Sequence, residues 1–398
     1  MHVAITKPDF GITGGFERVL GHIADDLEAR GHRVSWLLAP AAQRLPNPFG
    51  CVVPDDVARL APEFVRYFGL AETFLGIDAS RADVLVSTQP PSFVVDHPRH
   101  LSLFYHHTRA FYDLAEVSMA AGLVEHDCHV EALDRVRRFD RVFLDRVGWF
   151  LAGSASVAER LAAFNGLSSN VSVFHAGLGV DVVVGADDHG PRPDGHALCV
   201  SRHEFPKRTE LFVQAMALVG GRPTGVAVGA GGRLGWAKQL VHEYHSGQRD
   251  PDGDSSSVWL CAPGYVPPES VPDASGAVVE LRGAVDDVTL SKLYAGALCV
   301  VAPAYAEDYG LTAIEAMAHG KPVIVCEDGG GLTELVEDGV TGLVVEATGR
   351  SIADAVVRLR DDPELASALG VRAKEEAAAY TWSRALREFH HGLEQVLS

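Results

Sequence analysis

The chain has 398 residues, a hydrophobic fraction of 47% and a formal net charge of −19. That length exceeds one ordinary core and points to two domains. The acidic balance argues against nucleic acid or anionic lipid as the main partner, while leaving room for a local basic site that binds phosphate. No apolar run reaches the roughly 20 residues of a membrane helix, and Met1–Ile5 reads as a strand rather than a signal peptide. A cytoplasmic location is expected, with membrane association left open but not indicated. The six cysteines, Cys51, Cys128, Cys199, Cys261, Cys299 and Cys326, are scattered without a CxxC pair. They read as free thiols in a reducing compartment, not as a zinc site.

In chain order the patterns alternate between strand and helix: Val3–Ile5 (strand), Phe16–Arg30 (helix), Arg33–Leu38, Val84–Ser87 and Leu101–Tyr105 (strands). A long helical stretch through Arg146, the strand Trp149–Ala152 and the short strand Val171–Phe174 complete the first series. The Gly/Pro-rich polar segment 186–195 reads as a linker. Strands are then expected at Ala197–Val200, Gly225–Val228, Val258–Ala262, Val278–Leu281, Leu298–Ala302, Val323–Cys326 and Gly342–Val345, with an amphipathic helix over Trp382–Leu397. Such alternation is the signature of α/β domains with parallel sheets. The expected organisation is an N-terminal domain over 1–185, the linker 186–195, a C-terminal domain over 196–380 and a final helical segment 381–398. Two open sheets facing a central cleft would place ligands at the carboxyl ends of their strands.

Four motifs carry chemistry. Gly11 to Arg18 lies between the first strand and first helix. Glycines there, Gly14 and Gly15 included, allow close backbone approach to a ligand or serve only as a turn with a helix cap. The spacing is not that of the dinucleotide fingerprint. His107 ends a first-domain strand, where a histidine can touch substrate; for a lone histidine the structural reading is favoured. After the first strand of the second domain, Arg202 and Lys207 frame a proline-bearing loop. They can neutralise a diphosphate in place of a metal ion, or form a basic surface loop. The most informative stretch is Glu307 to Glu315. Glu307 sits above a buried strand and Glu315 one and a half turns into a helix. The helix N-terminus between them suits a phosphate. The pair could hold hydroxyls at each end of a sugar nucleotide, or be a solvated loop residue and an ordinary helix acid. The glycine cluster Gly329-Gly330-Gly331 either approaches the ligand or forms a tight turn.

Three look-alikes are weaker. Asp252-Gly253-Asp254 has the DxD form of metal-dependent glycosyltransferases but sits in a polar loop and reads as a solvated turn. Gly229-Ala230-Gly231-Gly232-Arg233-Leu234-Gly235 follows a strand but lacks the spacing and the acidic residue of a nicotinamide site. The basic run Arg135–Arg141 is offset by interleaved aspartates and reads as a solvated helix.

Taken together the residues resemble family 4 of the retaining glycosyltransferases of GT-B fold, the group 1 type. The likeness rests on Gly14-Gly15-Phe16-Glu17-Arg18, on Ala152 to Leu161, on Val200 to Lys207, on Leu281-Arg282-Gly283 with Leu293-Tyr294, and on the E-x7-E block Glu307 to Glu315, which continues to Val323. Gly153, Arg109 and Asp308-Tyr309 depart from the family pattern.

The resemblance implies two Rossmann-like domains, the first for the acceptor and the second for the nucleotide sugar, with the final helix returning to the first domain. Glu307 would bond the donor sugar and Glu315 the ribose. Arg202 and Lys207 would hold the diphosphate with Gly14, Gly15, Arg282 and the amides of Gly310, Leu311 and Thr312. His107 would lie beside the transferred sugar. The implied enzyme is a metal-independent, retaining hexosyltransferase. It needs no cofactor and moves sugar from a UDP- or GDP-linked donor to a hydroxyl of a glycan, a lipid-linked saccharide or a small natural product. A GT-B nucleotide-sugar epimerase and a non-catalytic sugar-nucleotide-binding subunit are the alternatives.

Overall fold

The computed structural model describes residues 1–11, 14–41, 47–178, 190–260 and 276–398. Residues 186–189 of the expected linker, Ile12-Thr13 of the first glycine motif and Cys261 lie outside these residues. The chain divides into two compact units, one of Met1–Gly177 with Thr381–Ser398, the other of Leu178–Tyr380.

The first unit is built on six parallel strands: β1 (His2–Asp9), β2 (Arg33–Pro40), β3 (Val84–Ser87), β4 (His100–Phe104), β5 (Trp149–Ala152) and β6 (Val171–Val173), in the order β2-β1-β3-β4-β5-β6. β3 and β4 are buried along their whole length, as expected of central parallel strands covered on both faces. Edge strand β2 instead leaves Trp36 and Leu38 more than 40% exposed. The helix Gly15–Ala29 buries Val19, Leu20, Ile23, Ala24 and Leu27, one apolar stripe at helical spacing. The long helical stretch of the sequence reading is interrupted: Ala115–Ala120 and His126–Leu144 are separate helices, and the second starts where the Glu125 carboxylate caps the amides of Asp127 and Cys128.

The C-terminal helix Trp382–Leu397 turns Ala385, Phe389, Gly392 and Leu393 inward. Glu388 accepts from the His175 amide at 2.7 Å, and His390 Nε2 meets Asp26 at 2.6 Å.

The second unit carries β7 (His196–Val200), β8 (Gly225–Val228), β9 (Val279–Leu281), β10 (Ala297–Ala302), β11 (Val323–Cys326) and β12 (Gly342–Val345), in the order β12-β11-β10-β7-β8-β9 and all parallel. The expected strand Val258–Ala262 is not formed. Ser255–Trp259 is a short helix, because the Asp254 carboxylate accepts from the amides of Ser256 and Ser257 and starts a helical turn there; residues 261–262 fall outside the described set. Among the described residues no helix is long and apolar enough to cross a membrane.

Two acids in the first unit, Asp140 and Glu388, give stability terms of opposite sign. The Tyr67 and Tyr112 hydroxyls both donate to Asp140, which is 1% exposed. Burial pushes its carboxyl up to about 7 against the pull of those hydroxyls. Its unfolded value is about 4, so between these values the folded chain holds an extra proton, and this group's contribution to stability falls as pH rises. Burial also acts to raise Glu388, but hydrogen bonds from His175 and Arg384 outweigh it and hold the carboxyl below its ordinary value. That contribution is present above pH ~4 and is lost on acidification. In urea unfolding, Asp140→Asn should therefore lose less stability than wild type between pH 4 and 7. Glu388→Gln should be less stable than wild type at pH 6, with the gap closing below about pH 4. Parallel pH profiles for wild type and either variant would contradict the corresponding assignment.

Candidate functional site

In the second sheet the strand order reverses between β7 and β10: the chain runs outward from β7 through β8 and β9, then returns to β10 and runs the other way. The loops leaving the carboxyl ends of two such strands diverge and open a crevice, the usual ligand position in open α/β sheets. Those loops are 201–208 and 303–310. They hold Arg202, Lys207, Glu307 and Gly310.

The loops are joined by main chain and side chain. The Tyr305 amide donates to the Pro206 carbonyl at 2.7 Å. The Lys207 ammonium is ion-paired with the Glu307 carboxylate, the two side chains being 17% and 15% exposed. The Glu307 backbone is clasped by the glycine cluster after β11, its amide donating to Gly329 O at 2.9 Å and its carbonyl accepting from Gly331 N at 2.8 Å. Gly330 has φ +59°, and a Cβ there would lie 2.7 Å from the Glu307 carbonyl oxygen. The cluster thus supports Glu307 from below and has to be glycine to come so close.

Gly310 caps the helix Leu311–Ala318 with φ +103°. The first amides of this helix, at Leu311 and Thr312, have no intrahelical acceptor and carry the positive end of its dipole. Glu315 lies on the same helix, where the Tyr294 hydroxyl donates to its Oε2 at 3.0 Å. Burial and the neighbouring Glu315 raise the Tyr294 phenol well above its usual range, so it stays a donor. Tyr294 also stacks on His319, whose Nδ1 lies 2.8 Å from the Glu315 carbonyl. One edge of the Glu315 carboxylate is therefore fixed by protein.

Other expected residues are placed differently. Arg202 is exposed, and among the described residues its guanidinium has no hydrogen-bond or ion-pair partner. Arg282 follows edge strand β9 and forms a two-point pair with Glu280 at 2.7 and 2.8 Å. It is not brought to the Lys207–Glu307 cluster.

In the first unit, Gly14 is the N-cap of the helix Gly15–Ala29, and its amide donates to Glu17 Oε2 at 2.9 Å. Glu17 also pairs with Lys7 at 3.2 Å. His107 is 1% exposed, bonded through Nε2 to Asn165 Oδ1 at 2.7 Å and stacked on Tyr112 with ring centroids 4.1 Å apart. Tyr112 connects it to the Asp140 network. Its ring is enclosed in the core of the first unit.

The look-alikes have structural occupations. Asp254 caps a helix, and Asp252 is ion-paired with Arg350. A Cβ on Gly229 or Gly231 would lie 1.8 Å from Ser201 O or 2.3 Å from His203 O. The glycine loop after β8 is therefore packed directly against the Arg202 loop. The residues that sequence reasoning passed over are Arg208, Asp328, Trp259 and Tyr294. Arg208, next to Lys207, Asp328, at the head of the glycine cluster, and Tyr294, in the Leu293-Tyr294 segment, stood inside stretches already singled out without being given a role.

Residues 275–376 match the family described as glycosyl transferases group 1. A segment of 122 residues is 38% identical to the D-inositol 3-phosphate glycosyltransferase of Kribbella flavida, covering 28% of this chain and 28% of that protein. The match thus spans little more than a quarter of the relative. Over the whole chain, similar solved structures include sucrose-phosphate synthase from Thermosynechococcus elongatus, with a TM-score of 0.69, 19% identity and 99% and 98% of the two chains covered. Anabaena HepE in complex with UDP and glucose gives a TM-score of 0.62 at 17% identity over 98% and 99%. The chain has the GT-B fold, and within it residues 275–376 belong to the group 1 glycosyltransferase family.

Proposed function

We propose that this chain is a metal-independent, retaining glycosyltransferase that moves a sugar from a nucleoside-diphosphate sugar to a hydroxyl acceptor. The observation that carries the reading is the Lys207–Glu307 pair, held over the switch point of the second sheet beside the open N-terminus of the helix Leu311–Ala318. A cation, a carboxylate and free helix amides in one loop cluster match the three parts of such a donor.

In this reading Lys207 and Arg202 bind the diphosphate, with the amides of Leu311 and Thr312 adding partial positive charge. Glu307 accepts from hydroxyls of the donor sugar, and Glu315, with one carboxylate edge pinned by Tyr294, accepts from the ribose. The bond between the anomeric carbon and the diphosphate oxygen breaks as positive charge develops on the sugar. The acceptor oxygen bonds to the anomeric carbon on the same face, and its proton passes to the departing diphosphate. Fixed positive charge at the leaving group stabilises that transition state without reorganisation. Arg202 and Lys207 supply the charge that a metal ion would otherwise provide. The first unit is assigned to acceptor recognition. Since HepE has been solved with UDP and glucose, UDP is the first nucleotide to test.

Three outcomes are expected. Lys207→Ala and Arg202→Ala should each lower kcat by about 10²–10³, the usual effect of removing one preorganised electrostatic group; turnover near that of wild type would sink the assignment. EDTA should leave transfer intact, and strong inhibition would bring the aspartates of residues 252–254 back as ligands. In a thermal-shift series of UDP, GDP and ADP, the cognate nucleotide should raise Tm, and above its Kd the rise should grow with the logarithm of its concentration. Slow hydrolysis of that donor without an acceptor would separate an enzyme from a binding subunit.

A further inference from the structure

Arg208, the residue after Lys207, has no part in the chemistry above. Its backbone is left-handed, with φ +51° and ψ +37°, a region that residues with side chains seldom adopt. Its side chain is 0% exposed. The guanidinium forms a two-point ion pair with Asp328, with 3.0 Å from Nη1 to Oδ1. It packs against two neighbouring aromatic rings, 4.1 Å from the Trp259 centroid and 4.9 Å from that of Tyr305. Trp259 in turn stacks on Phe205 and donates its indole N–H to the Phe205 carbonyl at 2.8 Å.

These contacts reach all three loops of the cluster. Phe205 belongs to the loop after β7, Tyr305 to the loop after β10 and Asp328 to the loop after β11. The Asp328 carbonyl also accepts from Ala306 N at 2.8 Å. Lys207 is the neighbour of Arg208 and Glu307 the neighbour of Ala306. A buried guanidinium and a left-handed backbone each carry a stability cost, and glycine would relieve both. Folding of the loop does not explain an arginine here, whereas alignment of the three loops does.

We propose that Arg208 is a positioning residue that holds the Lys207 ammonium against Glu307 by locking the three loops together through Asp328, Trp259 and Tyr305. The catalytic consequence rests on the proposed role of Lys207; the positioning does not. Two readouts separate them. The chain contains six lysines, so acylation of each amine can be followed by mass spectrometry on the intact folded protein. Arg208→Gly, which suits the backbone but lacks the anchor, and Asp328→Asn should raise Lys207 labelling about tenfold, the scale of coupling inside one ion-pair network. Lys238 and Lys374 should not change. Buried Lys321, 0% exposed, reports any general loosening of the unit. Arg208→Lys, with charge but no fork, should fall between.

The second readout is UDP affinity by calorimetry. Arg208→Gly should weaken it about tenfold in the wild-type background and no more than about twofold in a Lys207→Ala background. Unchanged Lys207 labelling, a rise shared by all lysines, or an equal loss of UDP affinity in both backgrounds would overturn the proposal. If Arg208→Gly does not fold, Asp328→Asn and Arg208→Lys carry the same comparison. A chain that binds none of UDP, GDP and ADP and transfers no sugar, yet shows the selective rise at Lys207, would refute the proposed function and leave the positioning role standing.

Discussion

The Lys207–Glu307 ion pair exists because β7 and β10 are neighbours in the second sheet although 100 residues separate the two side chains in sequence. Three strands diverge on either side of that seam, and their loops have no reason to meet anywhere else. A part-buried ion pair is weak evidence for stability, since desolvation offsets most of its Coulomb attraction. Its value here is geometric. Glu307 keeps a flexible lysine aimed, and its own backbone is fixed by Gly329 and Gly331. On the proposed reading, an arriving diphosphate offers Lys207 a second anionic partner and leaves Glu307 available to sugar hydroxyls.

Glu315 follows a different logic. Its helix starts at Gly310, on the same loop as Glu307, so the two glutamates share one anchor, the β10 loop clasped to the β11 glycines. The Tyr294 hydroxyl cannot easily ionise beside a carboxylate in a buried site, so it remains a donor and Glu315 an acceptor. Glu307 faces a mobile type of cation and Glu315 a rigid neutral donor. On the proposed reading, this difference suits a carboxylate that rearranges when donor binds and one that only receives a ribose.

Much of the frame was legible in the sequence because parallel central strands are short runs of apolar residues bounded by glycine and proline. β3, β5, β8, β11 and β12 coincide with the expected segments. The failure at 258–262 is instructive in the same terms. Val258, Trp259 and Leu260 have strand-like composition, but an aspartate followed by three serines supplies a helix cap, and local hydrogen bonding overrode apolar character. In the site, Lys207 and Glu307 were legible as residue types at strand ends, and the structure brings them into contact. Arg208 was not legible as an anchor, because its partners Trp259, Tyr305 and Asp328 come from three separate segments that no spacing connects. His107 was visible as a strand-end histidine, but its enclosure depends on the local turn that brings Tyr112 back over it and on Asn165, which ends a helix 58 residues further along the chain.

The false motifs and the candidate site differ in one physical respect: what their polar atoms are already doing. The Asp254 oxygens are taken by the amides of Ser256 and Ser257, and Asp252 by Arg350. The space that a dinucleotide would need at Gly229 and Gly231 is filled by the carbonyls of Ser201 and His203. In the Glu307 to Glu315 block, the backbone of Glu307 is satisfied by protein while the amides that open the helix at Leu311 have no intrahelical acceptor. The glycine loop after β8 is not idle either, since by packing against residues 201–203 it braces the loop that presents Arg202 and Lys207. A pattern of residue types becomes a site where the fold satisfies the supporting atoms and withholds partners from those that point outward, and in the second unit this distinction selects the loops at the β7–β10 seam.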